Sequence, residues 1–261
     1  MSTGRDIAQR SCAMGELAHE VLGAESGSAR VLAGFRKAMY LSAPSGDLVV
    51  LTAPGAPLGP LHVPVPALPP VAAGDQMPVD EGAVLVCGTW WHATVPPWSG
   101  AVPPRSALPA AAALAAQLAE TAAAPQLWPG TSGLPAPAER AIRAGDLDSA
   151  AALLGGLGPG LTPVGDDVLA GALFAAALGA GPAEVVRLCG VARRVRTNRI
   201  AGAFLLAAAR GQCIAPVHDL VMALARGDID AARRSCGQAA GFGATSGHAL
   251  VYGVLRGLRY G

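Results

Sequence analysis

One internal repeat constrains this chain more than any other feature. Shifted by 82 positions, Ala141-Ile142-Arg143-Ala144-Gly145-Asp146-Leu147-Asp148 falls on Ala223-Leu224-Ala225-Arg226-Gly227-Asp228-Ile229-Asp230 without a gap. Further on, Gly165 falls on Gly247, Leu169 on Val251, Gly171 on Gly253 and Leu173 on Leu255. A Gly-Asp pair reads as the end of one helix and the cap of the next. Two helix–loop–helix units of this kind are expected to pack as pseudo-symmetric halves, with their loops facing one cleft.

The copies differ most in the loop. The first runs Gly155-Gly156-Leu157-Gly158-Pro159-Gly160-Leu161-Thr162-Pro163-Val164-Gly165-Asp166-Asp167, and an apolar run from Val168 to Phe174 follows at once. Glycine lets backbone approach a ligand closely, and the first N–H groups of a helix have no internal partner, so such a loop suits an oxyanion. The N–H groups of Gly158, Gly160 and Gly165 are candidate phosphate donors, with the Thr162 hydroxyl beside them. Asp166 and Asp167 sit where a helix start favours negative charge. They are candidate catalytic groups that orient an attacking amine, and candidate ligands for Mg²⁺, the one cofactor the sequence suggests. The plainer reading makes the loop punctuation, with one of the aspartates a cap. No Lys-Ser/Thr follows the glycines, and the dinucleotide fingerprint is missing, so neither common phosphate loop applies.

The second copy of the loop is Gly241-Phe242-Gly243-Ala244-Thr245-Ser246-Gly247-His248, in which His248 replaces Asp166. Thr245, Ser246 and Gly247 are candidates to complete the site from this half, and His248 is a candidate catalytic group. Between the loops, Arg193-Arg194-Val195-Arg196-Thr197-Asn198-Arg199 is rich in cations. Such a run is either a solvated helix face or a source of anion-binding forks. Arg196 and Arg199 flank the capping residues Thr197 and Asn198, and Thr197 adds a hydroxyl.

Net charge is +1 over 261 residues, with 14% charged, so no basic footprint points to nucleic acid. The longest apolar segment, 168–180, is too short to cross a bilayer. The N-terminus lacks a basic region followed by an apolar core, so a cytoplasmic protein is expected. The five cysteines are scattered without a C-x-x-C spacing and read as reduced thiols.

The expected fold class is α+β. Residues 1–28 carry an amphipathic helix over 6–22, residues 29–106 form a small β-rich domain, and residues 107–261 form a helical domain that holds the glycine loops. Short apolar runs at 31–32, 38–41, 48–51, 61–65 and 83–86, split by Pro and Gly turns, predict strands. Pro64 and Pro66 confine theirs to an edge. Segment 89–98 holds Trp90, Trp91, His92 and Trp98, and reads either as a ligand lip or as a proline-stiffened linker. Helices are predicted over 107–124, 137–144, 147–154, 166–179, 183–195, 199–210, 216–225, 230–236 and 248–258.

The stretch 156–167, Thr197 before an apolar helix ending Ala208-Ala209-Arg210-Gly211, and Gly243-x-x-Ser246-Gly247 together resemble the AllH-type family. The resemblance spans most of the chain and is weakest in the β-rich part. Two positions depart from it. His248 stands where the family has an acidic residue, and Val164 where it commonly has Ser. The resemblance implies carbamoyltransferase-type chemistry on carbamoyl phosphate or a similar small phosphorylated or acyl compound, tied to purine catabolism. It further implies a partner-dependent enzyme working with an FdrA-like subunit. The alternative is a non-catalytic subunit that binds a metabolite or nucleotide and regulates a partner.

Overall fold

The computed structural model describes residues 7–122, 125 and 133–258. The chain is α+β and divides into two compact units, residues 1–99 and 100–261.

The first unit is a sheet with one helix. In chain order its elements are β1 (Ala8–Cys12), α1 (Glu16–Ala24), β2 (Gly27–Gly34), β3 (Ala38–Ser42), β4 (Leu48–Thr52), β5 (His62–Pro64), β6 (Gln76–Asp80), β7 (Ala83–Val86) and β8 (Thr89–Ala93). The eight strands run β1-β8-β7-β6-β2-β3-β4-β5 across the sheet. The two outer pairings, β1 with β8 and β4 with β5, are parallel, and those between are antiparallel. Pro64 lies in the edge strand β5, as its missing N–H requires. Ala18 and Leu22 bury one side of α1, with Met14 just before it, in a core shared with Val31, Leu41, Val49, Leu51 and Val63.

Two expectations fail in this unit. The helix predicted from residue 6 begins only at Glu16, because residues 8–12 pair with β8 as an edge strand. Segment 89–98 is not a linker at its start. Thr89–Ala93 is a strand, Trp91 is buried in the core, and His92 Nε2 hydrogen-bonds Gln9 Oε1 on β1.

The second unit is helical. Its helices are α2 (Leu108–Thr121), α3 (Ala136–Ala144), α4 (Leu147–Leu154), α5 (Val164–Ala177), α6 (Pro182–Arg194), α7 (Arg199–Ala209), α8 (Ala215–Arg226), α9 (Ile229–Ala240) and α10 (Ser246–Gly257). Most begin or end within about two residues of expectation, since Pro, Gly and Asp mark their ends. Residues 123–124 of the first predicted helix lie outside the described residues. From Val168 to Ala177, α5 is apolar on every side, the signature of a fully buried helix. It packs against α4, α6, α7 and α10. No helix among the described residues is long and apolar enough to cross a membrane.

The duplication is present in three dimensions. Gly145 and Gly227 take the same left-handed conformation, φ 73° and 75°, and Asp146 and Asp228 cap the helices that follow by accepting from Ser149 N and Ala231 N. The closest packing joins α5 to α10. A Cβ on Gly171 would lie 2.1 Å from Leu250 O, and one on Gly253 would lie 2.0 Å from Val168 O. Val168 and Leu250 are themselves repeat partners, so each glycine meets the image of the other's contact. The copies depart from symmetry just before this crossing. Helix α9 has 12 residues and α4 has 8, whereas residues 155–163 connect α4 to α5 and residues 241–245 connect α9 to α10. The first copy thus gives up a turn of helix for loop while keeping the total length.

Candidate functional site

Three backbone segments converge at the start of α5: the glycine loop, residues 195–199 between α6 and α7, and the loop before α10. Gly156 makes the first approach possible. Its φ is +72°, and a side chain there would lie 2.7 Å from Arg196 O. Its N–H donates to Asp166 Oδ1 at 2.8 Å, and Thr197 Oγ1 donates to Asp166 Oδ2. Asp166 is 2% exposed. Burial pushes its carboxyl above the ordinary value, and the bonds from Thr197 and Gly156 pull it back down. Both of its oxygens hold the loop against residues 196–197.

Asn198 ties the same segments together from the other side. Its Oδ1 accepts from Ile200 N and Ala201 N, which caps α7, while its Nδ2 donates to Leu161 O at 2.8 Å. The cap was expected; the clamp on the loop was not. The only sequence signal for it is that Asn, unlike Ser or Thr, can cap and donate at once.

Asp167 differs from its neighbour. Successive helical residues are about 100° apart, so it points toward α10 rather than toward residue 197. The Ser246 hydroxyl hydrogen-bonds its carboxyl and also lies 2.9 Å from Thr162 Oγ1. Asp167 Oδ2 is buried and has no partner among the described residues. Burial raises its carboxyl to about 8, the Ser246 bond opposes the rise, and the Asp166 charge adds to it. Near neutral pH this group exchanges a proton readily, which an acid or base in a site must do.

The structure therefore joins Thr162, Asp167 and Ser246 in one cluster, with Asp166, Thr197 and Asn198 fixing the loop that frames it. The N–H groups of Gly158 and Gly160 make no hydrogen bond among the described residues. Gly165 N–H is committed to Leu157 O at 2.8 Å and Gly247 N–H to Phe242 O at 2.9 Å, so these two shape the backbone and do not present free donors. Thr245 takes the cap position of α10 without a side-chain capping bond, and His248 is half-buried in the first turn. Arg199 opens α7 and is exposed, as is Arg196. Arg194 pairs with Asp148 at 2.7 Å, so that part of the basic run is a solvated face.

For Mg²⁺ the donor set is thin. Asp166 has spent both oxygens, and no group of three His, Cys, Asp or Glu side chains among the described residues is arranged around an ion. A cation here would rest on Asp167 and on oxygens brought by a ligand. Burial raises the Cys213 thiol to about 12 and that of Cys12 to about 11, which makes these two poor nucleophiles.

A family model described as oxamate carbamoyltransferase subunit AllH matches residues 154–258. The match starts at the last residue of α4 and ends just after α10, so it takes in both loops and residues 195–199. It covers less than half of the chain, and the resemblance read in the sequence is shown over these residues. No curated protein and no solved structure matches the chain.

Proposed function

We propose, on the premise that residues 154–258 are AllH-like, that this chain is a subunit of a carbamoyltransferase-type enzyme. It binds a small carbamoyl or phosphorylated compound between the glycine loop and the start of α10. The observation that carries this reading is the meeting of the two repeat copies at Thr162 and Ser246, beside the unpartnered Oδ2 of Asp167. Thr162 and Ser246 satisfy each other there, and the fold leaves one carboxyl oxygen, Asp167 Oδ2, for a ligand to satisfy.

In this reading Gly158 and Gly160 present N–H groups to phosphate oxygens, at the positive end of α5. Thr162 and Ser246 supply hydroxyls. Asp167 is the proton acceptor or the group that orients an attacking amine. Asp166 and Thr197 are positioning residues. Thr245, Gly247 and His248 form one rim, and Arg199 lends positive charge from the start of α7. Mg²⁺ enters, if it is used, with the phosphate it accompanies. Transfer of a carbamoyl group asks for placement and charge stabilisation more than for covalent work by the protein. The reading includes a partner subunit of FdrA-like kind, a cytoplasmic setting and a role in purine catabolism.

A second reading draws on the commitment of both Asp166 oxygens, which leaves Asp167 as the one carboxyl facing the site. A single such group suits a subunit that binds a metabolite or nucleotide and regulates its partner. Titration calorimetry with carbamoyl phosphate and with ATP, each with and without Mg²⁺, tests the site itself. Heat that is unchanged in Asp167→Ala would remove the assignment. Turnover by the isolated chain, then with an FdrA-like partner, separates enzyme from regulator.

A further inference from the structure

The Asp167–Ser246 pair crosses the internal pseudo-two-fold axis, so the fold offers a control for it. Helices α5 and α10 begin at repeat-equivalent positions, Val164 and Ser246. The repeat partner of Ser246 is therefore Val164, and that of Asp167 is Ala249. The symmetry-related pair is Val164 with Ala249, 3% and 0% exposed. At the equivalent positions the fold buries two apolar side chains in its core. The polar pair on the other side is not a packing requirement.

What such a pair is for follows from its hydrogen-bond inventory. Ser246 donates to Asp167 and lies within hydrogen-bond distance of Thr162 Oγ1. Asp167 Oδ2 is buried without a partner among the described residues. Above about pH 8, where the Asp167 carboxyl is ionised, this oxygen only accepts, so its complement is a donor. Phosphate and carboxylate groups are themselves acceptors and do not complement the ionised form. Within a carbamoyl compound the NH₂ group is the donor. The loop N–H groups of Gly158 and Gly160 have the opposite polarity and suit the anionic end.

We propose that Asp167 is the specificity-determining residue of the site, and that its Oδ2 receives the N–H of a substrate's carbamoyl NH₂ group. The proposal rests on the carbamoyl reading above and goes further by assigning the discrimination to one atom. It separates carbamoyl phosphate from acetyl phosphate, which carries a methyl group of similar size and no donor. A site that holds a buried acceptor for a missing donor pays its full desolvation on binding the wrong compound.

The test is calorimetric titration of the whole chain with carbamoyl phosphate, acetyl phosphate and inorganic phosphate, above about pH 8, where Asp167 is ionised. The expected result is carbamoyl phosphate bound at least about tenfold more tightly than acetyl phosphate. That preference should vanish in Asp167→Leu and narrow in Asp167→Asn, which keeps the shape and weakens the acceptor. Equal binding of the two acyl phosphates by the unaltered chain overturns this inference and leaves the phosphate site standing. So does a preference that survives in both variants, provided their circular dichroism and melting match the parent. Binding of none of the three overturns the underlying reading, and this one with it.

Discussion

Gly171 and Gly253 hold reciprocal places at the crossing of α5 and α10, each facing the carbonyl that the repeat assigns to the other. A methyl group at either position would sit about 2 Å from backbone oxygen, which cannot swing aside as a side chain can. Gly171→Ala and Gly253→Ala should each destabilise the helical unit by about 3 kcal/mol. Gly237 in α9 is the contrast, since a Cβ there meets nothing within 4 Å. Gly237→Ala should stabilise by about 0.5–1 kcal/mol. Urea midpoints of the three variants decide the matter, and equal shifts for all three would refute the crossing geometry.

Asp166→Ala leaves two donors, Gly156 N–H and Thr197 O–H, without their acceptor. The expected cost is about 1–3 kcal/mol. Thr197→Val removes one of the same bonds, so the double variant should cost less than the sum of the singles. Limited proteolysis should cut within residues 155–163 faster in Asp166→Ala than in the parent.

Asn198 has two separable duties. Asn198→Ala should lose both the helix cap and the tie to Leu161, at about 1–2 kcal/mol. Asn198→Asp keeps the accepting oxygen and loses the donor. Amide exchange should then rise around residues 158–162 while the first turn of α7 stays protected. Exchange that rises equally in both places would show one duty, not two.

Asp167 gives the helical unit a pH dependence of known sign. Its carboxyl lies near 3.8 when unfolded and about 8 when folded, so the folded chain binds that proton more tightly. Its contribution to stability is complete below about pH 3.8 and declines as pH rises to about 8. Asp167→Asn removes the dependence. Subtracting its unfolding free energy from that of the parent should give a curve that falls with pH, with a slope of at most about 1.4 kcal/mol per pH unit. A flat difference would mean that Oδ2 is not desolvated.

Much of the helical unit was legible in the sequence because its ends are chemically marked. Gly145-Asp146 and Gly227-Asp228 announce a left-handed stop and a side-chain cap, and the repeat follows from them. The sheet was less legible. Strand β6 alternates buried Met77 and Val79 with exposed residues, but Pro78 between them masks the pattern. Strand β1 is exposed along nearly its whole length and carries no apolar face to be read. In the site, the sequence named both aspartates and could not separate them. Which one is held by the Gly156 N–H and which one reaches α10 is settled by the turn of a helix and by a serine 79 positions away. The clamp by Asn198 is of the same kind, a contact between segments that no local pattern records.

The two copies contribute unequally to the cluster of Thr162, Asp167 and Ser246. One contributes the carboxyl and the pliable backbone; the other contributes a hydroxyl from the tip of α10. Neither could be inherited, truncated or exchanged between molecules alone without dismantling what they make together, so gene duplication here committed both descendants to remain on one polypeptide.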